Sequence, residues 1–174
     1  MSKSTQQQSE AAIQLLLDER DIRAVLHRYA AALDQKDWAL FSTCFVSDAS
    51  AHYETIGLLE GYPAIEALCR SALINMSRTQ HLIGNVDITV DGDIARSSCY
   101  LHAQHVRPMT AGGDTNIIAG QYNDELVRTA LGWRIRRRKL QVWWTFGNPA
   151  IHDPGPNEGV NGALSVQESG ERDL

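Results

Sequence analysis

The sequence predicts an α+β protein, with helices packed on one face of a curved antiparallel sheet. Two observations carry this. Apolar residues recur at helical spacing early in the chain and again from Pro63 to Leu73, after which the pattern reads as strands only. The later strands come in pairs around Asp91-Gly92 and around Thr129-Ala130-Leu131-Gly132, which are hairpin signals.

From Ala11 to Leu33, residues Leu15, Ile22, Val25, Leu26, Tyr29 and Leu33 form one stripe. The run Asp18-Glu19-Arg20-Asp21 interrupts it, and Asp18 can cap a fresh helix. The expectation is a short first helix, a tight corner, and a longer helix to about Leu33. A second short helix starts at Asp37-Trp38, capped by Asp34 or Asp37. Ala49, Ala51 and Tyr53 then share one side of an extended segment. Pro63 sits in the first turn of the next helix, which runs to Leu73. The predicted strands follow at 79–90, 93–107, 116–128 and 133–146, with a Gly-containing loop over 108–115. Residues 1–9 read as a flexible N-terminus, 10–147 as the folded domain, and 148–174 as a tail, lid or oligomer arm.

Strand parity sorts the faces. Ala95, Cys99, Leu101, Ala103 and His105 form a small, apolar set that should face inward, leaving His102 outward. The 79–90 segment changes parity at Gly84, where a bulge would switch faces, so the face of His81 stays open. The last strand also switches, from Trp133 and Ile135 to Leu140, Val142, Trp144 and Phe146, which calls for a bulge near Arg137-Arg138. Simple alternation puts Arg134, Arg136 and Arg138 outward. Trp143, Trp144 and Phe146 read as core and pocket wall. Small neighbours around Tyr53 suggest a cavity.

Composition limits the function. With 43% hydrophobic and 21% charged residues, the chain is that of an ordinary globular protein. The formal charge of -5 argues against nucleic acid, despite the basic run Arg134–Lys139. No apolar run is long enough for a membrane span, and the N-terminus has no signal-peptide core. Cys44, Cys69 and Cys99 are widely spaced and fit buried thiols in a reducing, cytoplasmic setting. No spacing resembles a metal site, and His102 and His105 fall on opposite strand faces.

The order Tyr29…Asp34…Trp38, Tyr53, Thr79-Gln80-His81-Leu82-Ile83-Gly84, His105 and Gly132-Trp133-Arg134-Ile135 resembles the SnoaL-like group. That group belongs to the ketosteroid-isomerase (nuclear transport factor) superfamily, and the resemblance covers about residues 10–147. Within it, the chain is similar to scytalone dehydratase, bile-acid dehydratase and hexachlorocyclohexane dehydrochlorinase. The resemblance implies an α+β cone closed by the N-terminal helices around a deep apolar pocket. It matches Asp34 and His81 to a catalytic dyad, Tyr29 and Tyr53 to pocket tyrosines, and His105 to a second pocket histidine. The serine and asparagine that scytalone dehydratase carries on a later strand have no fixed counterpart; Asn116 and Asn123 both stand in that region. The arginine and lysine that the dehydrochlorinase adds are not identifiable.

The residues also admit plainer readings. Asp34 reads locally as a helix cap, Tyr29 as core, and His81 and His105 as hydrogen-bonded structural histidines. Taken with the resemblance, the expectation is a cofactor-independent lyase or isomerase, foremost a dehydratase, acting on a small cyclic apolar substrate. His81, supported by Asp34, would take a proton from carbon while Tyr29, Tyr53 and His105 act on the carbonyl or leaving hydroxyl. The alternative is a non-catalytic binding or assembly domain of the same fold. The resemblance further implies a homo-oligomer, a trimer, while the charge and the lack of a long apolar run point to neither nucleic acid nor membrane as partner.

Overall fold

The structure is a computed structural model that describes residues 3–54 and 56–153. Its elements are α1 (Lys3–Gln35), α2 (Trp38–Ser42), β1 (Phe45–Tyr53), β2 (Gly57–Glu60), α3 (Tyr62–Leu73), β3 (Arg78–Asp91), β4 (Ile94–Val106), β5 (Thr115–Thr129) and β6 (Gly132–Gly147), followed by a 3-10 helix at Pro149–His152. The six strands form one curved, unclosed sheet in the order β2-β1-β6-β5-β4-β3. All pairings are antiparallel except β1 with β6. The strand β2 was not foreseen; it folds back on β1 between Gly57 and Gly61, both at positive φ. Residues 148–153 hold the 3-10 helix, and the tail expected as lid or arm otherwise lies outside the described residues.

The expected corner at Asp18 does not form. One helix runs from Lys3 through the segment read as flexible and on to Gln35. Asp18 is buried instead: its carboxylate accepts from Arg128 at 2.5 and 2.7 Å and from the Trp133 indole at 3.1 Å. A side chain bonded across the protein has no need to cap its own backbone. Residues 4–17 of α1 are exposed, so Leu15 drops out of the stripe, which begins at Ile22. From there Ile22, Val25, Leu26, Tyr29, Ala32 and Leu33 pack on the sheet, α1 lying over β3 and β6.

The helix stops on Lys36, at φ 55°. Lys36 N–H donates to the Leu33 carbonyl and Asp37 N–H to that of Ala32, the paired bonds of a left-handed helix stop. Asp37 then caps α2 by accepting from Leu40 N–H at 2.9 Å. Lys36 ends one helix and Asp37 begins the next, which leaves the Asp34 carboxylate outside both tasks.

Two expected bulges are present. In β3 the pairing slips between Gly84 and Asp87, with Asn85 at φ 45°. Thr79, His81 and Ile83 lie on the inner side before it, and Val86, Ile88 and Val90 after it. In β6 the slip falls between partners Ile135 and Arg137, so Arg136 is the extra residue. This corrects the face of Arg138, which is buried. A further slip at Trp143 turns both indoles to the outer face, Trp143 against Tyr100 and Trp144 against His102. Trp143, Trp144 and Phe146 are therefore exposed rather than core, because the helices pack on the other face of the sheet.

Candidate functional site

The site forms where the last turn of α1 meets β3. Asp34 Oδ1 lies 2.6 Å from His81 Nδ1, its Oδ2 accepts the His81 backbone N–H at 2.9 Å, and Thr79 Oγ1 donates to Oδ1 at 2.9 Å. The bulge after Gly84 resolves the face of His81: it shares the inner side with Thr79 and Ile83, its side chain 6% exposed. A carboxylate in the last turn opposes the helix dipole, so its placement is costly without partners. Burial raises the Asp34 carboxyl, but the side-chain and backbone bonds from His81 and the bond from Thr79 outweigh this and hold it below 3.8. The carboxylate fixes Nδ1 of His81 as the bonded nitrogen, and Nε2 has no hydrogen-bond partner among the described residues.

His105 stands edge-on to His81 at 5.6 Å between ring centroids. It is buried, as parity predicts, and its Nδ1 has no hydrogen-bond partner among the described residues. Burial first, then the neighbouring imidazoles of His81 and His152, push it down to about 3, so the ring is neutral.

The tyrosines form a second cluster on the inner face. Tyr29 Oη lies 3.5 Å from Tyr122 Oη, and Tyr53 Oη lies 4.0 Å from Cys69 Sγ. Burial holds all three phenols well above 10, so each keeps its proton. Between Tyr29 and Tyr122 sits Arg138, its guanidinium 4.0 and 4.1 Å from the two ring centres. Arg138 makes a two-pronged bond to buried Asp124 at 2.8 and 2.6 Å, and its Nη1 has no hydrogen-bond partner among the described residues. Burial opposes its charge, and Asp124 more than restores it. No hydrogen bond joins this cluster to Asp34, His81 or His105 among the described residues.

Sequence reasoning missed Arg138, Asp124, Tyr122 and His152. The first two carried a signal: once the bulge falls at Arg136, Arg138 pairs across the sheet with Asp124, whose neighbours Tyr122 and Leu126 are inward residues. Of the two asparagines, Asn116 is buried beside His105, whereas Asn123 is exposed on the other face. Cys44, Cys69 and Cys99 are buried and free. A polar groove of about 740 Å³, lined by residues such as His52, Arg96, Asn123 and Lys139, lies on the outer face and contains no dyad residue. Among the described residues, no group of three or more His, Cys, Asp or Glu side chains could hold a metal ion, and no helix is long and apolar enough to cross a membrane.

Comparison with known proteins gives the chain a family. Residues 14–139 match the SnoaL-like domain, and the chain belongs to that family. The uncharacterized protein Rv2910c of Mycobacterium tuberculosis is 35% identical over 127 residues, covering 70% of this chain and 82% of that one. Among solved structures, Kfla4162 from Kribbella flavida superposes with a TM-score of 0.72 at 26% identity, over 76% of this chain and 95% of that one. A provisionally assigned scytalone dehydratase from Novosphingobium aromaticivorans gives 0.72 at 23% identity, over 79% and 91%. A hexachlorocyclohexane dehydrochlorinase, LinA type 2, gives 0.70 at 18% identity, over 84% and 99%. The last two likenesses establish the shared fold.

Proposed function

We propose that this chain is a cofactor-independent lyase or isomerase, foremost a dehydratase, acting on a small cyclic apolar molecule held inside the cone. The observation that carries the reading is the Asp34–His81 pair, with Nδ1 taken by the carboxylate and Nε2 left without a protein partner. Such a pairing fixes the tautomer with its lone pair at Nε2 and favours the imidazolium formed when that nitrogen takes a proton from carbon. The protonated phenols of Tyr29 and Tyr53, backed by the Arg138 charge, suit a carbonyl oxygen gaining negative charge. A ring spanning the two clusters would present an acidic C–H to His81 and its carbonyl to the tyrosines, with His105 beside the leaving hydroxyl. Elimination of water then proceeds through an enolate: His81 Nε2 takes the α-proton, the enolate expels the β-hydroxyl, and the proton returned from Nε2 completes the water.

The test is a panel of cyclic β-hydroxy ketones incubated with the protein in deuterium oxide, followed by mass spectrometry for α-deuteration and loss of water. Wild type should catalyse both for at least one member. His81→Ala and Asp34→Asn should each lose about 10²–10⁴-fold, the usual range for a general base and its support. Ligands that bind wild type and both variants alike, with no exchange and no elimination, would establish a non-catalytic binding domain instead.

The same reading includes self-association. Leu82, Tyr100, His102, Trp143, Trp144 and Phe146 lie together on the outer sheet face, Trp144 at 50% and Phe146 at 71% exposed. Contiguous aromatic surface of this kind favours a docked partner, and the occupant proposed is a second copy of this chain, in a trimer.

A further inference from the structure

Thr79 opens the string Thr79-Gln80-His81, of which the dyad uses His81 alone. Alternation along β3 sets Thr79 and His81 on the same inner side, roughly 7 Å apart along the strand. That single step brings a hydroxyl, a backbone amide and an imidazole to one carboxylate. Two of the three bonds to Asp34 come from His81 itself: the ring at 2.6 Å on Oδ1 and the amide at 2.9 Å on Oδ2. The third, from Thr79 Oγ1 to Oδ1 at 2.9 Å, is the one that a different residue supplies among the described residues.

The difference is mechanical. A carboxylate tied to His81 alone is free to turn about the Asp34 side-chain torsions and exchange the ring for water, which reaches it because its side chain is 23% exposed. Thr79 ties Oδ1 to β3 at a second point, so two residues define the plane of the carboxylate. Asp34 needs that tie, since it lies in the last turn of α1, where the helix dipole opposes its charge. The hydroxyl is the donor, because an ionised carboxylate only accepts. Branching at Cβ restricts the threonine torsion and so aims the hydroxyl. Serine carries the same hydroxyl on a freer torsion, and valine the same branch without it.

We propose that Thr79 is a positioning residue for the dyad: its hydroxyl locks the Asp34 carboxylate with Oδ1 facing His81 Nδ1, and so keeps the ring proton on Nδ1 and the lone pair on Nε2. This rests on reading His81 as the base, so the deciding measurement reads ring nitrogens rather than turnover. A hydroxyl on Oδ1 also draws charge from that oxygen. Were that its whole effect, removing it would make Oδ1 the better acceptor and tighten the bond from Nδ1; loss of positioning has the opposite sign.

The full chain is labelled with nitrogen-15 histidine, and long-range proton–nitrogen spectra are recorded at alkaline pH, where imidazoles are neutral. In wild type, His81 should show one tautomer, protonated at Nδ1, with widely separated ring-nitrogen shifts. In Thr79→Val the separation should shrink as the other tautomer mixes in, and Thr79→Ser should restore most of it. Thr79→Ala should reproduce the loss, which covers the case in which Thr79→Val does not fold. A separation unchanged or wider in the hydroxyl-free variant would overturn the assignment, the wider case showing that the hydroxyl only tempers charge. So would a Thr79→Ser variant no better than Thr79→Val, which marks a packing role. With any ketone that wild type turns over, kcat should fall about tenfold in Thr79→Val with KM unchanged, the scale of one hydrogen bond to a charged group. A rise in KM alone would make Thr79 a substrate contact and overturn the positioning role. Failure of the dyad reading is separate: it appears as turnover indifferent to Asp34→Asn, whatever the His81 spectrum shows.

Discussion

Asp34 shows how a residue acquires a role that its neighbours in sequence do not give it. Locally it is the last carboxylate before a helix end, but Lys36 stops the helix and Asp37 caps the next. Its three bonds go to Thr79 and His81, more than forty residues away. Spacing rules see only the local competition, so the resemblance, not periodicity, is what pointed to the pair. The face of His81 was undecidable from alternation because the bulge that decides it follows the residue. His105 was legible, since uninterrupted parity along β4 carries its ring inward with Ala95, Cys99, Leu101 and Ala103.

Two predictions belong at this scale. His105 has a folded value of about 3 against an ordinary 6.5, so between these values the unfolded chain binds a proton that the folded chain refuses. Its contribution to stability is full above 6.5 and lost as pH falls toward 3. His152, also held low by burial, adds to the same slope. Urea midpoints measured across this window should fall with pH in wild type, and His105→Leu should flatten the fall. Asp34 and Asp18, whose values are lowered, act in a more acidic window and remain in both proteins. The second prediction concerns Arg138. Arg138→Met strands Asp124 in the interior and should cost about 3–5 kcal/mol by equilibrium unfolding, as breaking a buried ion pair from one side does. The double variant Arg138→Met with Asp124→Leu should recover much of that loss.

At the scale of elements, the irregularities decide which polar side chains reach the inner face. An unbulged β3 would keep His81 on a face continuous with Asp87 and Thr89, which are exposed. An unbulged β6 would carry Arg138 outward with Arg134 and Arg136. Sequence parity located both switches to within a residue or two, but one residue is enough to reverse a side chain, which is why Arg138 was misplaced. Gly120 marks the third slip: a Cβ there would meet the Gln141 carbonyl oxygen at 2.0 Å, closer than any real contact. Gly120→Ala must push β5 from β6, and a loss of about 3 kcal/mol or more in unfolding free energy is expected. The corner once expected at Asp18 illustrates the opposite failure. Asp18, which resembles a cap in sequence, is a buried anchor for Arg128 and Trp133, partners more than a hundred residues later.

On the scale of the whole molecule, the two sheet faces divide the labour. The inner face carries the polar clusters under α1 and α3. The outer face carries a polar groove at one end and an aromatic patch at the other. If about half of the roughly 150–250 Å² of each large ring is free, the patch offers on the order of 300–500 Å² of aromatic surface, the upper range for a monomer left alone. Sedimentation should report an assembly larger than one chain, and Trp144→Glu should shift it to the monomer while leaving the dyad untouched. A wild-type monomer at every concentration would remove the assembly reading. The α+β order, the strand pairs and most of the core were legible because they depend on periodicity. The exposed aromatics were not, because hydrophobic letters do not say which surface they meet.

Among the described residues, strand β3 is an edge strand, paired with β4 alone. On its open side the His81 amide would be free to seed a ladder with another chain, and the Asp34 carboxylate occupies it. Charge placed against an open sheet margin guards against such accretion. The carboxylate that bonds the histidine thus also serves as a stopper at the sheet's margin, so that removing it should open the margin to strand-on-strand aggregation as well as take away the hydrogen-bond partner of the His81 ring.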